Sequence, residues 1–298
     1  MARGVGEEVV EPVCGPGVEG QPPGRRRFVV CWEVSRVPVW LWPNLLSLDA
    51  PVVALVWQDF IARTYGIPLR LPARLVLGLT VWAIYLGDRL LDVRGPATGA
   101  EAARHRFSRE HGRIAMSLLV CALAGDIAVT VAALRPAVLQ AGLFALVAVA
   151  GYLIVVPWSG VRRIPKELAV AALFTAGTFV TAWAGAEQRT GVLAVPAASF
   201  LALCFANLVA IEVEERRELG RGRREGIHGM TAWAGRAYPV WVGGLVAACA
   251  LRMGEPWYGA VGASGAALLG IWAAGGRLGM DARRVLVDVA MLTPLLFL

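Results

Sequence analysis

The sequence predicts an all-α integral membrane protein whose helices form a bundle around a central cavity. Three observations indicate this fold: 57% of the 298 residues are hydrophobic, the mean hydropathy is +0.59, and only 17% of the residues are charged. The charged residues are gathered in short runs between apolar stretches of about 20 residues, the length that a helix needs to cross a bilayer. This composition excludes a cytosolic enzyme, a disordered chain and a disulfide-rich secreted module.

Apolar windows after residue 45 predict about nine transmembrane helices. The windows cover residues 46–64, 71–92, 114–134, 137–158, 167–186, 191–213, 230–251, 257–275 and 283–298. The connections between them are too short to form another folded domain. We therefore expect a single transmembrane domain over residues 46–298.

The chain before the first window has a different composition. Residues 1–27 are rich in Gly, Pro, Glu and Val without helical periodicity, and they end in three arginines, so we expect a flexible cytoplasmic tail. Residues 28–45 contain Trp32, Trp40 and Trp42 but also charged residues that interrupt the apolar stretch a secretory signal requires. This pattern predicts an interfacial segment lying at the lipid headgroups.

Arginine supplies nearly all of the positive charge. The net charge is +7, and the 29 basic residues include a single lysine, Lys166. Arginines beside the windows are concentrated on one side of the predicted bundle, which places that side and the N-terminus in the cytoplasm by the positive-inside rule. No basic domain with interleaved aromatic residues is present, so we expect no nucleic-acid partner. The expected location is a bacterial or archaeal cell membrane, with the functional site facing the cytoplasm.

Two aspartates end the second window. Asp88 and Asp92 are four residues apart, so on a helix they share one face, with Cβ atoms about 5–6 Å apart. Mg²⁺ between them would relieve their repulsion and bridge to substrate phosphates, since this ion takes hard oxygen ligands. The alternative is a surface pair neutralised by neighbouring arginines. Carboxylates near hydrocarbon are costly, and this position therefore favours a functional site.

A second acidic group ends the sixth window. Asn207 lies about one turn deeper than the acidic residues, in an otherwise apolar stretch, which favours a functional site. The glutamates that follow are Glu212, Glu214, Glu215 and Glu218. The sequence does not decide which of them faces the cavity. The alternative is a solvated helix end in which these glutamates pair with the arginines beside them.

A basic element lies between the two acidic groups. Arg162, Arg163 and Lys166 are suited to binding a substrate with several phosphate oxygens, although the positive-inside bias alone also explains basic residues here. Two acidic helix ends and a basic loop at one face predict a Mg²⁺-diphosphate site. The aromatic residues of the neighbouring windows are Trp82, Phe174, Phe179 and Trp183. They would either line a cavity for a lipid tail or pack as ordinary core.

In order and spacing these motifs resemble the UbiA superfamily of intramembrane prenyltransferases. The segment Asp88-Arg-Leu-Leu-Asp92 is similar to the first aspartate-rich motif, and residues 104–107 resemble the arginine-bearing loop that follows it. The segment Tyr152–Glu167 resembles the basic segment after the fourth helix of that family, and Asn207–Glu215 falls where its second acidic motif belongs. The resemblance covers residues 45–298.

The resemblance implies Mg²⁺-dependent transfer of a polyprenyl group from its diphosphate to a hydrophobic acceptor, aromatic or lipid, within the membrane. The implied metal ligands are Asp88, Asp92, Glu212 and Glu215. The implied diphosphate-binding residues are Arg106, Tyr152, Arg162, Lys166 and Asn207. The implied catalytic residues are Asp88, Asp92 and Lys166, which would stabilise the leaving diphosphate.

Two features depart from the family pattern. Ile84 stands where the family usually has an asparagine, and glutamates with irregular spacing replace the usual second aspartate motif. An alternative function, from another class, is a non-catalytic membrane protein that binds or transports a prenyl lipid or another anionic amphiphile. The signature motifs of CDP-alcohol phosphatidyltransferases and of soluble polyprenyl synthases are not in the sequence.

Overall fold

Helices account for the regular structure of the chain. The structure is a computed structural model that describes residues 38–92, 103–144, 147, 165–185, 190–218 and 228–298. No strand occurs among these residues. The predicted all-α class is confirmed.

Most of the described residues belong to α-helices. The α-helices are α1 (Trp42–Leu45), α2 (Asp49–Thr64), α3 (Leu71–Asp92), α4 (Ala103–Glu110), α5 (Gly112–Ala133), α6 (136–144 within the described residues), α7 (Lys166–Gly185), α8 (Thr190–Glu218), α9 (Gly229–Arg236), α10 (Tyr238–Ala250), α11 (Pro256–Ala274) and α12 (Met280–Val289). Short 3₁₀ helices cover Val39–Leu41, Gly275–Arg277 and Ala290–Leu296. Proline stands in the first turn of α1, α10 and α11, where its missing N–H has no intrahelical partner to lose.

Five helices are long and apolar enough to cross a membrane. These segments are Leu71–Leu91, Gly112–Ala133, Lys166–Gly185, Gly191–Val213 and Pro256–Arg277. The bent pair formed by Val39–Leu45 and Asp49–Thr64 makes a sixth if it is taken as one span. Apolar side chains of α5 are exposed, among them Val120, Ile127 and Val131. An apolar exposed surface suits lipid tails better than water, so these helices support the predicted membrane location.

The predicted count of nine spans is not confirmed. The window 230–251 is divided into α9 and α10 by a turn at Ala237, and α10 has only 13 residues. The window 283–298 is divided between α12 and a 3₁₀ helix. The charged residues of α12 are Asp281, Arg283, Arg284 and Asp288. Part of the window 137–158 lies outside the described residues, as do residues 1–37, so the predicted N-terminal orientation stays a prediction.

Aromatic side chains fill the middle of the core. Trp57, Phe60, Phe179, Phe200 and Trp257 are at most 2% exposed. The Trp57 ring centroid lies 4.7 Å from that of Phe200 and 5.3 Å from that of Trp257. These five residues come from α2, α7, α8 and α11, so the aromatic core joins four helices. In a membrane, such close van der Waals packing is a main source of helix association.

Small residues let two helix pairs approach closely. A Cβ atom added to Gly265 of α11 would lie 2.9 Å from Val246 Cγ2 of α10. A Cβ atom added to Gly235 of α9 would lie 2.6 Å from Val213 Cγ2 of α8. Neither glycine can be replaced by a larger residue without moving the neighbouring valine or the helices. The second contact fixes α9 against the end of α8 that carries the predicted acidic group.

A bend of 83° separates the short helices before residue 46 from α2. Ser47 stands at the bend with φ of +58°, a conformation that few residues other than glycine adopt. The carbonyl of Leu46 accepts a 2.9 Å hydrogen bond from Trp82 Nε1, and the two preceding carbonyls accept hydrogen bonds from Arg89. Residues of α3 therefore satisfy backbone groups that the bend leaves without helical partners.

Candidate functional site

The last turns of α3 carry charged side chains into two different surroundings. Asp88 is exposed, whereas the next residue, Arg89, is only 5% exposed. Successive side chains of an α-helix point about 100° apart, so neighbouring residues at the end of α3 can contact two separate groups of residues. We call Asp88 and Lys166 the rim pair. We call Asp49, Arg89, Asn207, Arg284 and Asp288 the inner polar cluster.

The rim pair joins two motifs that are far apart in the sequence. Lys166 Nζ lies 3.5 Å from Asp88 Oδ1, so the start of α7 meets the end of α3. The side chains are 63% and 52% exposed, respectively. Exposed ion pairs contribute only about 0–1 kcal/mol to stability, so this contact does little to hold the fold. Both charged groups are instead within reach of a ligand from the solvent.

The position of Lys166 depends on the residue after it. Glu167 accepts a 2.7 Å hydrogen bond at Oε2 from Thr231 Oγ1, and Thr231 is fully buried. This bond attaches the first turn of α7 to α9, and Gly235 packs α9 against α8. The start of α7 is thus held near the end of α3 by the rim pair and near the end of α8 through α9.

Arg89 links three helices in the inner polar cluster. Its guanidinium donates to the carbonyls of Asn44 and Leu45 at the bend, the second at 3.3 Å, and lies 3.8 Å from the Asp49 carboxylate. Asn44 Nδ2 donates to the same carboxylate at 2.7 Å. A buried guanidinium is tolerated only when its donors are satisfied and its charge is balanced, and both conditions are met here.

The cluster extends from Asp49 to α12 and α8. Asp288 lies beside Asp49 and Asn207, and the charge of Arg284 lies nearby. Removal from water and the neighbouring Asp49 carboxylate raise the pKa of Asp288 well above its ordinary value. A raised pKa favours the protonated form of Asp288 beside the Asp49 carboxylate.

The structure places the other predicted residues as follows. Asn207 is 8% exposed and donates to the carbonyl of Val287 at 3.1 Å, so its contacts are with α12. Glu212 forms an ion pair with Arg216 on its own helix, the pairing that the sequence left as an alternative. The side chains of Asp92, Arg106 and Glu215 lie outside the described part of the chain, as do Tyr152 and Arg162 entirely.

The residues suited to hold a metal are few in the described part of the chain. There, no group of three or more His, Cys, Asp or Glu side chains is arranged to bind an ion. The rim pair offers one carboxylate, and the ammonium group beside it competes with a cation for that carboxylate. The described donors do not by themselves fit Mg²⁺, so we derive no reaction step through this ion.

The aromatic residues predicted beside the site have separate positions. Phe179 is fully buried, and its ring centroid lies 5.7 Å from that of Trp257 in the aromatic core. Trp82 donates to the bend before α2. For Phe179 the structure therefore agrees with ordinary core packing, while Trp82 has a specific part in closing the bend.

Sequence reasoning missed most of the inner polar cluster. Asp49 stands near the start of the apolar window 46–64, and Asp288 stands inside the window 283–298. Ionisable residues inside apolar windows are expensive, and their presence is a signal of a specific partner. That signal could have identified both aspartates, whereas their pairing with each other could only come from the fold.

Comparisons with known proteins do not place the chain in a family. The resemblance to intramembrane prenyltransferases therefore rests on the motifs of the sequence alone. Comparisons of the whole chain with protein-family models, with curated proteins and with solved structures give no significant match.

Proposed function

We propose that this chain is a membrane-embedded enzyme that transfers a prenyl group from its diphosphate to a hydrophobic acceptor. The observation that supports it most is the rim pair, in which Lys166 lies 3.5 Å from Asp88. It draws together a motif similar to the first aspartate-rich motif of the UbiA superfamily and the segment similar to that family's basic loop. Both side chains are exposed and can meet an anionic substrate.

The position of the rim pair suits an amphiphilic substrate. Two of the membrane-crossing segments, Leu71–Leu91 and Lys166–Gly185, have the pair at their ends. A prenyl diphosphate has a charged head and a long apolar tail. Its head would lie at the polar end of these helices, while its tail would lie along their apolar length, since each part then meets matching surroundings.

The proposed reaction breaks the bond between the allylic carbon and the diphosphate oxygen. The bonding electrons leave with the diphosphate, the allylic carbon forms a new bond to the acceptor, and the acceptor loses a proton to the solvent. The Lys166 ammonium would stabilise the negative charge that develops on the leaving oxygen. A magnesium requirement is part of the proposal and is supported by the spacing of Asp88 and Asp92 on α3.

The test uses purified protein in detergent with a mixture of prenyl diphosphates and a membrane-lipid extract. We expect diphosphate release that requires both the extract and Mg²⁺ and that stops with a chelator, with the product identified by mass spectrometry. Lys166→Gln should raise KM for the prenyl diphosphate about tenfold, since one charge-assisted contact is lost. The control is Arg236→Gln, which removes an exposed charge at the end of α9.

A result in which the wild type releases no diphosphate would contradict the proposal. So would equal effects of Lys166→Gln and Arg236→Gln on KM, because the rim pair would then have no particular part in substrate binding. Release that persists without Mg²⁺ would remove the magnesium requirement from the proposal.

The second candidate function is binding or transport of a prenyl lipid or another anionic amphiphile. The observation that favours it is the bend of 83° before α2, which contains Asn44, Ser47 and Asp49. Broken helices at membrane depth commonly form the substrate sites of transporters. In proteoliposomes, this function predicts flux of a labelled prenyl diphosphate across the bilayer without diphosphate release, whereas the enzyme predicts release without flux.

A further inference from the structure

A second basic region lies at the other end of α3. Arg70, immediately before α3, and Arg135, between α5 and α6, line a shallow cleft. With a rise of 1.5 Å per residue, the stretch from Arg70 to Asp88 is about 27 Å long. This length is close to the thickness of about 30 Å of the hydrocarbon core of a bilayer. The cleft and the rim pair are therefore separated by about the thickness of the hydrocarbon core.

The remaining lining of the cleft is mostly apolar. Ile67 and Leu69 come from the connection between α2 and α3, Val138 comes from α6, and Gly185 comes from the end of α7. Ile67 closes the cleft against α7, because a Cβ atom added to Gly185 would lie 3.3 Å from Ile67 Cγ2. No carboxylate is among the residues that line the cleft in the described part of the chain. The cleft thus combines positive charge with an apolar surface.

The two arginines of the cleft differ from Arg63 and Arg74, which stand on either side of Arg70 in the sequence. Arg63 and Arg74 both form ion pairs with Asp59. Arg70 and Arg135 form no ion pair with any residue that the structure describes. Each also precedes the N-terminus of a helix, α3 or α6, whose dipole adds partial positive charge. The positive potential of the cleft is therefore uncompensated by described acidic side chains.

We propose that this cleft binds an anionic phospholipid of the membrane. The lipid phosphate would lie between Arg70 and Arg135, since guanidinium groups bind phosphate oxygens through paired hydrogen bonds. One acyl chain would lie along Ile67, Leu69 and Val138. An anionic head joined to an apolar chain matches both parts of the lining, and the cleft lies at the level where such heads are found.

The test measures lipid binding by native mass spectrometry on delipidated protein in detergent. Phosphatidylglycerol is titrated against phosphatidylcholine, which has the same chains and no net charge. We expect the wild type to prefer phosphatidylglycerol. The variant Arg70→Gln/Arg135→Gln should bind it about thirtyfold more weakly, because two charges near the headgroup are lost. The matched control Arg63→Gln/Arg74→Gln removes two charges at the same end and should stay within about threefold of wild type.

Further variants separate a binding defect from a folding defect. Arg70→Lys/Arg135→Lys keeps both charges, so its affinity for phosphatidylglycerol should stay within about tenfold of wild type. Its unfolding temperature should equal that of Arg70→Gln/Arg135→Gln. Equal binding of the two lipids would overturn the proposal, as would an equal loss in the matched control. Glycerol phosphate distinguishes a lipid from a free phosphate: if it displaces phosphatidylglycerol at equal concentration, the acyl chain has no part and the lipid is the wrong ligand.

Discussion

The rim pair and the inner polar cluster begin at adjacent residues of one helix, yet they differ in almost every physical property. Asp88 is exposed and has a partner at 3.5 Å that is exposed as well. Arg89 is buried and contacts two backbone carbonyls and a carboxylate. In the rim pair, charge is available to a ligand at small cost to stability. In the inner polar cluster, the charged groups contact one another and backbone carbonyls. These contacts hold α2, α3, α8 and α12 together.

This difference predicts separable effects of mutation. Substitutions in the inner polar cluster should change the stability of the protein, because they leave buried polar groups without partners. Substitutions in the rim pair should change activity and leave stability nearly unchanged.

The largest loss of stability is expected from Arg89→Met. Methionine has a similar length but no charge, so Asp49 loses its counter-charge and the carbonyls at the bend lose their donor. Breaking a buried ion pair from one side costs about 3–5 kcal/mol. Reversible unfolding in detergent measures the change. Arg63→Met, which removes an exposed arginine paired with Asp59, should cost less than about 1 kcal/mol. Equal losses in the two variants would show that the cluster does not stabilise the fold.

A smaller loss of stability is expected from Asn207→Ala. The substitution removes the donor to the carbonyl of Val287, the residue before Asp288. Buried groups left without partners cost about 1–3 kcal/mol, measured by the same unfolding experiment. Thr80→Ala is a suitable comparison, since it also removes one hydrogen bond between helices, to Asp126 at 2.9 Å. A stability equal to wild type, combined with a raised KM for prenyl diphosphate, would instead place Asn207 in substrate binding.

The next prediction concerns the pH dependence of stability. The folded protein raises the pKa of Asp288, which faces Asp49, Arg284 and Asn207, with Arg89 and Tyr85 also near. A raised pKa in the folded state means that protonated Asp288 contributes its stability below about pH 4 and loses it as pH rises through the raised pKa. The free energy of unfolding should therefore fall as pH rises above about 4, by up to about 1.4 kcal/mol per pH unit.

Asp288→Asn tests the origin of that slope. The amide cannot lose a proton but can still donate a hydrogen bond to Asp49, so the variant should show a shallower decline between pH 4 and pH 8. The free energy of unfolding of both proteins is measured at half-unit intervals. Glu110→Gln removes an exposed carboxylate and should keep the wild-type slope. If the free energy of unfolding declined with pH equally in wild type and Asp288→Asn, another group would be responsible for the slope.

The sequence was most informative where local composition decides the structure. The window 71–92 coincides with α3 because a mostly apolar stretch of this length, with its charges near the two ends, has few alternatives to one helix. The window 283–298 was interpreted as one span, yet its three charged residues, Arg283, Arg284 and Asp288, lie on α12, a helix packed against α8 and α2. The bend at Ser47 depends on donors from α3, which are distant in sequence. Such tertiary contacts leave no periodic pattern, so hydropathy does not predict them.

The candidate site, like the fold, could be predicted from the sequence only in part. The sequence singled out Asp88 and Lys166, and the structure brings them together because α7 begins beside the end of α3. It also singled out Asn207, whose contacts in the structure are with α12 and not with the rim pair. The difference arises because a polar residue in an apolar window needs a partner, and the sequence does not say whether that partner is a ligand or another helix.

The most direct test of the division between the two regions measures turnover and unfolding on the same preparation of Asp88→Asn. Diphosphate release should fall at least about a hundredfold, because the proposed magnesium requirement depends on the Asp88 carboxylate, while the free energy of unfolding should change by less than about 1 kcal/mol. Glu110→Gln, an exposed carboxylate outside the rim pair, should leave both quantities unchanged. Undiminished release from Asp88→Asn, or a loss of stability as large as that of Arg89→Met, would contradict the account.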